Sequence, residues 1–348
     1  MKGQTCRAGI AGLGMIGGAD QVSAEAIGQS VDGMDGTHFA ALAGHERVDV
    51  VAGSSRDAGR RERFAARSGA TVYEQLQEML DRERLDILSI ATYAPAHEEA
   101  ALAAVDAGVK VVYCEKPIAQ TVAAGRRIAD ACERAGALLV VNHQRRFAPG
   151  YRRLAAHVAA GGLGRLTSAY VQWGSGRLGN VGTHTIDALR MVIGQEVEAV
   201  SGLLDLAGRE DCRGPEFRDP GGWGMLRMAG GTIALLDAPD YAATPMRFLL
   251  NATEAQATIA PDAVTVDYAD GRSDSWPIGE AGLSSMDRAV TEIVAWLDGD
   301  GGEVAGSGDD AARTLEVISA LHASHERGSA WVDLPLSGAD LDRVIRSG

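Results

Sequence analysis

The chain has 348 residues, 46% of them hydrophobic and 23% charged, with a formal net charge of −14. That length has room for two ordinary domains, each with its own core. The acidic balance, with no long run of Lys or Arg, argues against a nucleic-acid partner, and no apolar stretch approaches the length that spans a bilayer.

Arg7–Ala11 reads as a first strand and runs into Gly12-Leu13-Gly14-Met15-Ile16-Gly17, a G-x-G-x-x-G turn. Among 44 glycines the pattern alone is weak; the preceding strand supplies half of the context it needs. Gly12 permits a tight turn, Gly14 a close approach of backbone to a pyrophosphate, and Gly17 close helix–strand packing. A helix continuing from Met15 and Ile16 would aim free N–H groups at the phosphates. That helix is hard to place, because Gly18 to Gly36 is polar and dotted with glycine, and a better helix starts at Thr37 and His38. Residues 19–36 therefore read as an insertion in the first β–α unit, either a solvent loop or a flap beside the cofactor or the substrate mouth.

Val48–Gly53 is a second strand, and a dinucleotide site reads its ribose at the end of such a strand. Asp32 and Asp35 lie near the usual distance past the glycines, but no strand leads into them. The ribose position falls instead at Ser54, Ser55 and Arg56, where no carboxylate stands to take a 2′-hydroxyl. An arginine there suits a phosphate-bearing ribose, so NADP is expected in preference to NAD. Arg60, Arg61, Arg63 and Arg67 read mainly as one solvated helix face.

Asp86–Thr92 is a buried strand leading through His97 into a helix, Glu98–Ala107. Val109–Cys114 is another strand, stopped at Glu115-Lys116-Pro117, since proline lacks an N–H and fixes its φ. A lysine at the carboxyl end of a parallel strand faces the crevice where open α/β sheets bind ligands, and lysine suits proton transfer. Thr121 caps a helix to Ala135, and Ala137–Val141 is the next strand. Strands alternating with helices imply a parallel sheet, with the glycine turn, Thr92, Lys116 and Asn142 along one edge.

Four features together, Gly12–Gly17, Ala91-Thr92 with His97, Ala107-Gly108 ahead of Glu115-Lys116-Pro117, and Gln144-Arg145-Arg146-Phe147, resemble the glucose–fructose oxidoreductase/inositol dehydrogenase (Gfo/Idh/MocA) family. The resemblance implies an N-terminal Rossmann domain, a doubly wound parallel sheet, and a C-terminal α+β domain with an open, mainly antiparallel sheet. It also implies NAD- or NADP-dependent chemistry on sugars, cyclitols or polyols, with Lys116 bonding the reacting oxygen, and it makes Glu115 and His97 candidates beside the cofactor. The insertion at 19–36 departs from the family pattern.

In the second half, Leu166–Trp173 alternates like a strand, and Thr183 is a plausible N-cap for a helix to Ile193. His184 and Asp187, three apart, share a side of that helix and can hydrogen-bond; a histidine with a carboxylate in reach suits proton transfer. Asn180, His184 and Asp187 resemble the family's second signature, an aspartate, a histidine and an aspartate, with asparagine in the first place. Asparagine can bond a hydroxyl but carries no proton. Trp173 and Arg145 are further substrate-pocket candidates. Alternating strands recur at 200–206, 224–228, 232–236, 246–250 and 263–268, with helices near 286–297 and 309–326.

The expectation is a Rossmann domain at 1–141 and a substrate and oligomerisation domain at 142–348. The function expected is that of an oxidoreductase moving hydride between nicotinamide and a sugar, cyclitol or polyol, with Lys116, His184 and Asp187 catalytic and no metal. The partners expected are a small sugar or polyol and further copies of the chain, as homodimer or homotetramer, with no membrane. Cys6, Cys114, Cys132 and Cys212 form no C-x-x-C pair and read as reduced thiols of a cytoplasmic protein. The alternatives are a glycoside-oxidising member of the family and a catalytically silent dinucleotide sensor.

Overall fold

Short β-branched runs alternating with glycine-stopped helices build a six-stranded sheet in the order β3-β2-β1-β4-β5-β6, parallel at all five pairings. A computed structural model of the chain describes residues 3–207, 214, 217–240 and 242–347. The chain forms two compact units. The first takes the chain to Ala119, then Ala124–Asn142 and Gly282–Ala311; the second takes Gln120–Ala123, His143–Ala281 and the chain from Ala312. The units do not follow the two halves of the sequence, since Gly282–Ala311 returns to the first.

In the first unit the strands are β1 (Cys6–Ala11), β2 (Val48–Ser54), β3 (Thr71–Tyr73), β4 (Ile87–Ile90), β5 (Val111–Cys114) and β6 (Leu138–Val141). They are buried on both faces, as a parallel sheet covered by helices requires; Ile10, Ile87, Leu88, Val111 and Val112 have no exposed surface. The strand order reverses between β1 and β4, so the crevice at their carboxyl ends is the ligand position of such a sheet. Four backbone bonds stitch that edge. Gly12 N donates to Ser54 O at 2.9 Å, Ala91 N to Ala11 O, Glu115 N to Ile90 O and Asn142 N to Cys114 O, each at 2.8 Å.

The helix expected straight after the glycine turn is a single turn, α1 (Met15–Gly18). Ala19 adopts a left-handed backbone (φ 54°) and ends it. Asp20 then caps α2 (Gln21–Glu25), and the longer α3 (His38–Gly44) starts only after its own cap, Thr37. The 19–36 segment is thus pinned structure, not a free loop. The helices α4 (Ala58–Ser68), α5 (Leu76–Arg82), α6 (His97–Asp106) and α7 (Val122–Ala135) complete the alternation. Arg60, Arg63 and Arg67 of α4, expected to be part of a solvated face, hold the insertion or its start instead. Arg63 grips Asp20 at 2.7 and 2.8 Å, Arg60 Nε donates to Ser23 Oγ at 2.9 Å, and Arg67 donates to Gly18 O. At the other end of the insertion, Ser285 N donates to Asp35 Oδ1 at 3.1 Å.

The second unit carries α8 (Pro149–Ala159), α9 (Thr183–Ile193) and a nine-stranded sheet ordered β14-β13-β12-β11-β7-β10-β9-β8-β15. Its strands are β7 (Leu166–Gln172), β8 (Val197–Asp205), β9 (Gly221–Met228), β10 (Ile233–Ala238), β11 (Arg247–Ala252), β12 (Ala255–Ile259), β13 (Ala263–Tyr268), β14 (Ser273–Pro277) and β15 (Val332–Asp333). Only the β7–β10 pair is parallel; the other pairings are antiparallel. Helices cover one face. Tyr151 of α8 meets Phe248 edge-on at 5.9 Å, and Trp276 Nε1 donates to Gly150 O at 3.0 Å. Between β14 and β15 in sequence come α10 (Ser285–Asp298), which belongs to the first unit and is closed at its start by a Ser284–Asp287 capping box, and α11 (Gly308–Glu326). Leu321 of α11 abuts Gly202 and Gly224, where a Cβ would come within 2.6 and 2.7 Å of its side chain. Cys6, Cys114 and Cys132 are free and buried; Cys212 lies outside the described residues.

Candidate functional site

The glycine turn is built by steric exclusion. Gly12 has φ +97°, and a Cβ there would meet Ala91 O at 2.5 Å; one on Gly17 would meet Gly12 O at 2.0 Å. A side chain at either place would break the turn. At Gly14 the surroundings are open, the nearest atom to a Cβ being Arg60 Nη1 at 3.7 Å, so backbone is offered to a ligand there. Thr92 Oγ1, beside this turn in the same unit, is buried with no hydrogen-bond partner among the described residues. A cradle closed to side chains, with a buried hydroxyl unsatisfied at its rim, fits a dinucleotide.

Around it, the predicted ribose position is polar and free of available carboxylate. Ser54 is buried at the end of β2. Ser55 Oγ accepts from Asp57 N at 3.3 Å, Arg61 holds the Ser55 carbonyl at 2.6 Å, and Arg56 is exposed. Asp57 is committed as the cap of α4, accepting from Arg60 N at 2.8 Å.

Glu115 and His97 carry structure rather than presenting free polar atoms. The Glu115 carboxylate is buried, with His38 Nε2 at 3.0 Å and Asn142 Nδ2 donating at 2.6 Å. Its second oxygen accepts from the Lys116 backbone N–H at 3.2 Å. Burial pulls its pKa up, but the hydrogen bond and charge of His38, then the Lys116 ammonium and Asn142, outweigh that and hold it at about 2. Ser89 Oγ lies 2.7 Å from His38 Nδ1, and Tyr113 OH donates to Asn142 Oδ1 at 2.9 Å, so a buried polar chain runs from β4 to the end of β6 beneath Lys116. His97 is fully buried, with Nδ1 2.9 Å from Pro117 O and Nε2 2.9 Å from Thr92 O. Both ring nitrogens are engaged, which makes it a strut between the ends of β4 and β5.

In the second unit, His184 lies in the first turn of α9, after a π-turn at Leu178–Gly182. The expected His184–Asp187 bond is not made. The Asp187 carboxylate takes Arg146 Nε at 2.8 and 3.0 Å and Thr314 Oγ1 at 3.2 Å, with His143 Nδ1 at 3.7 Å and Arg190 Nη1 at 3.8 Å. Burial raises the Asp187 pKa, and the charges of His143 and Arg146 more than reverse it. The neighbour of the His184 ring is His143, edge-on at 5.8 Å. His143 Nε2 lies 2.9 Å from Thr183 Oγ1.

Asn180 is buried in the π-turn, whose shape is fixed from below. Asp219 accepts from Gly179 N at 2.6 Å and Asn180 N at 2.8 Å. Trp173 is core on one side, its Nε1 donating to Gly176 O at 2.6 Å. It also lines a cavity of about 440 Å³ together with Arg145, Ser175, Val181, Thr244 and Met246. Arg145 Nη2 donates to Met246 Sδ at 2.9 Å and forms no ion pair among the described residues. The structure therefore groups Gly12, Gly14, Met15, Ile16, Gly17, Ser54, Ser55, Arg56, Thr92, His97, Glu115 and Lys116 in one unit. It groups Arg145, Trp173, Asn180, His184 and Asp187 in the other. Sequence reasoning missed His143, Asp219, Thr314 and the His38–Glu115 link; of these, His143, two residues past the end of β6, stood at a position the strand pattern could have flagged. Among the described residues no three potential ligands gather as a metal site, and no helix is long and apolar enough to cross a membrane.

A parallel sheet in this order, with a glycine turn leaving β1 at the switch point, defines the dinucleotide-binding Rossmann class of protein. Residues 6–143 match the family model described as an oxidoreductase family with an NAD-binding Rossmann fold, and residues 154–258 match the Gfo/Idh/MocA C-terminal domain. The chain belongs to the Gfo/Idh/MocA family of oxidoreductases. It is 35% identical over 182 residues to inositol 2-dehydrogenase 2 of Saccharopolyspora erythraea, covering 49% of this chain and 53% of that protein. The chain thus spans about half the length of that relative. It is 25% identical over 324 residues to levoglucosan dehydrogenase of Pseudarthrobacter phenanthrenivorans, covering 74% and 82%. A solved levoglucosan dehydrogenase, in complex with NADH and levoglucosan, superposes with a TM-score of 0.79 over 96% of this chain and 100% of that one, at 21% identity.

Proposed function

We propose that the protein transfers hydride between a nicotinamide coenzyme and a CH–OH carbon of a sugar, cyclitol or polyol. The observation that carries this reading is Lys116, set at the edge of the sheet that bears the glycine turn and anchored through its own backbone to the buried Glu115. The named relatives, inositol and levoglucosan dehydrogenases, support the substrate class. The coenzyme, when bound, supplies the hydride chemistry. Gly12, Gly14 and Gly17 bind it, and Thr92 offers a hydroxyl. Lys116 and His184 handle the proton of the reacting oxygen; His143, packed on the His184 ring, and Asp187, through Arg146, keep that pocket wall in place. Asn180, Arg145 and Trp173 orient the substrate. The coenzyme is NADP in preference to NAD, supported by Ser54, Ser55 and Arg56 and by the commitment of Asp57 elsewhere. Two copies pair through the uncovered face of the nine-stranded sheet.

The test is reduction of NADP and NAD against a panel of sugars, cyclitols and polyols, followed by Lys116→Met and His184→Asn on the best substrate. Each variant is expected to lose about 10²–10⁴-fold in kcat while still binding coenzyme. The double variant should lose little more than the worse single, because groups acting on one proton are not additive. Near-normal turnover by Lys116→Met ends the reading.

A further inference from the structure

The insertion at 19–36 has no part in the chemistry above, yet one chain of its hydrogen bonds, from Asp20 through Ser23, ends on Arg60. Asp20, buried and clamped by Arg63, accepts from Ser23 Oγ at 2.6 Å. Ser23 Oγ in turn accepts from Arg60 Nε at 2.9 Å. Arg60 Nη1 lies 3.7 Å from the Cβ position of Gly14. We propose that this insertion is a coenzyme-selecting device: through Ser23 it holds Arg60 over the glycine turn, where the guanidinium takes the ribose 2′-phosphate of NADP.

The inference rests on the dinucleotide reading of the glycine turn, and three observations take it further. The Ser23 bond uses Nε and leaves the terminal nitrogens, one of them beside Gly14, for two-pronged contact with phosphate oxygens. Arg60 forms no ion pair among the described residues, so its charge is not already neutralised by a carboxylate. The two nearby acids that would repel a phosphate are occupied, Asp20 by Arg63 and Asp57 by the start of α4. Gly12 N on Ser54 O brings the end of β2 to the same corner, and that is where a doubly wound sheet reads the ribose.

The experiment is titration of the full-length protein with NADPH and NADH, followed by nicotinamide fluorescence, with 2′,5′-ADP as a competing fragment and a thermal melt of each variant as control. Arg60→Gln should weaken NADPH and 2′,5′-ADP by about tenfold to a hundredfold, the range of a charge-assisted hydrogen bond, and leave NADH within about twofold. Ser23→Ala should move NADPH the same way by a smaller factor, and Arg60→Lys should restore part of the loss. Equal weakening of NADPH and NADH, or no change in either, overturns the inference. A wild-type protein that binds neither coenzyme fails the dinucleotide reading itself. Retained turnover in Lys116→Met fails the catalytic reading and leaves this one standing.

Discussion

Asp187 is surrounded by positive charge and buried, and what happens when that charge is removed separates structure from chemistry. Arg146, Arg190 and His143 all point at its carboxylate. Asp187→Asn keeps the shape but leaves Arg146 and His143 buried without this counter-charge, while Arg190 keeps Glu196 at 2.8 Å. Breaking a buried ion pair from one side costs about 3–5 kcal/mol, so the urea midpoint should fall sharply at neutral pH. Unchanged stability with lost turnover would return Asp187 to a direct catalytic role. The spacing of His184 and Asp187 made a pair legible as neighbours on a helix, but not which neighbour the carboxylate would choose. Arg146 and Thr314 are 41 and 127 residues away in sequence, and no local pattern encodes such distant partners. Glycines were easier, because Gly12 and Gly17 answer to backbone sterics that any G-x-G-x-x-G after a strand must meet.

At the scale of elements, the alternation of strand and helix in the first unit was legible because buried parallel strands are short runs of Val, Ile and Leu bounded by glycine. The strands β12 and β14 escaped notice: Ala255–Ile259 and Ser273–Pro277 are polar or small at alternate positions, and β14 is held at the sheet edge largely by Trp276. The insertion was legible as an irregularity, but its attachment to α4 was not, because arginines on an amphipathic helix look alike until their partners are known. The long helix α11 carries an element-scale prediction. His322 is half-buried in it with its Nε2 shielded from solvent, and that desolvation, aided by Arg343, lowers its pKa from 6.5 to about 4. A depressed folded-state pKa means the unfolded chain takes up the proton first as pH falls. The stabilisation is whole above pH 6.5 and is lost progressively from there down to about 4, with a difference of roughly 3 kcal/mol. His45 and His97, both also lowered by burial, act in the same direction. Denaturant melts across that window should show stability falling with pH, and His322→Leu should flatten the slope in part. A slope unchanged by the substitution would mean that His322 already titrates normally in the fold.

At the scale of the whole molecule, the nine-stranded sheet presents an apolar surface on the side away from its helices. Leu203, Trp223, Met225 and Leu235 are 48%, 41%, 41% and 40% exposed. The register makes them neighbours: Leu203 stands opposite Trp223, and Met225 opposite Leu235, with Tyr170 and Leu249 continuing the row. Strands about 4.8 Å apart spread these side chains roughly 20 Å across five strands. We propose that copies of the chain associate through this exposed apolar surface. In a two-fold pair the same patch meets itself, so each substitution is felt twice. The paired substitution Trp223→Glu with Met225→Glu sets four carboxylates in one interface beside Asp237, which stands opposite Trp223, and each would be desolvated on association. Sedimentation equilibrium is expected to find the unaltered chain as a dimer or tetramer at micromolar concentration and the double variant as a monomer. A monomeric wild type, or a double variant that still associates, would move the interface elsewhere or abolish it.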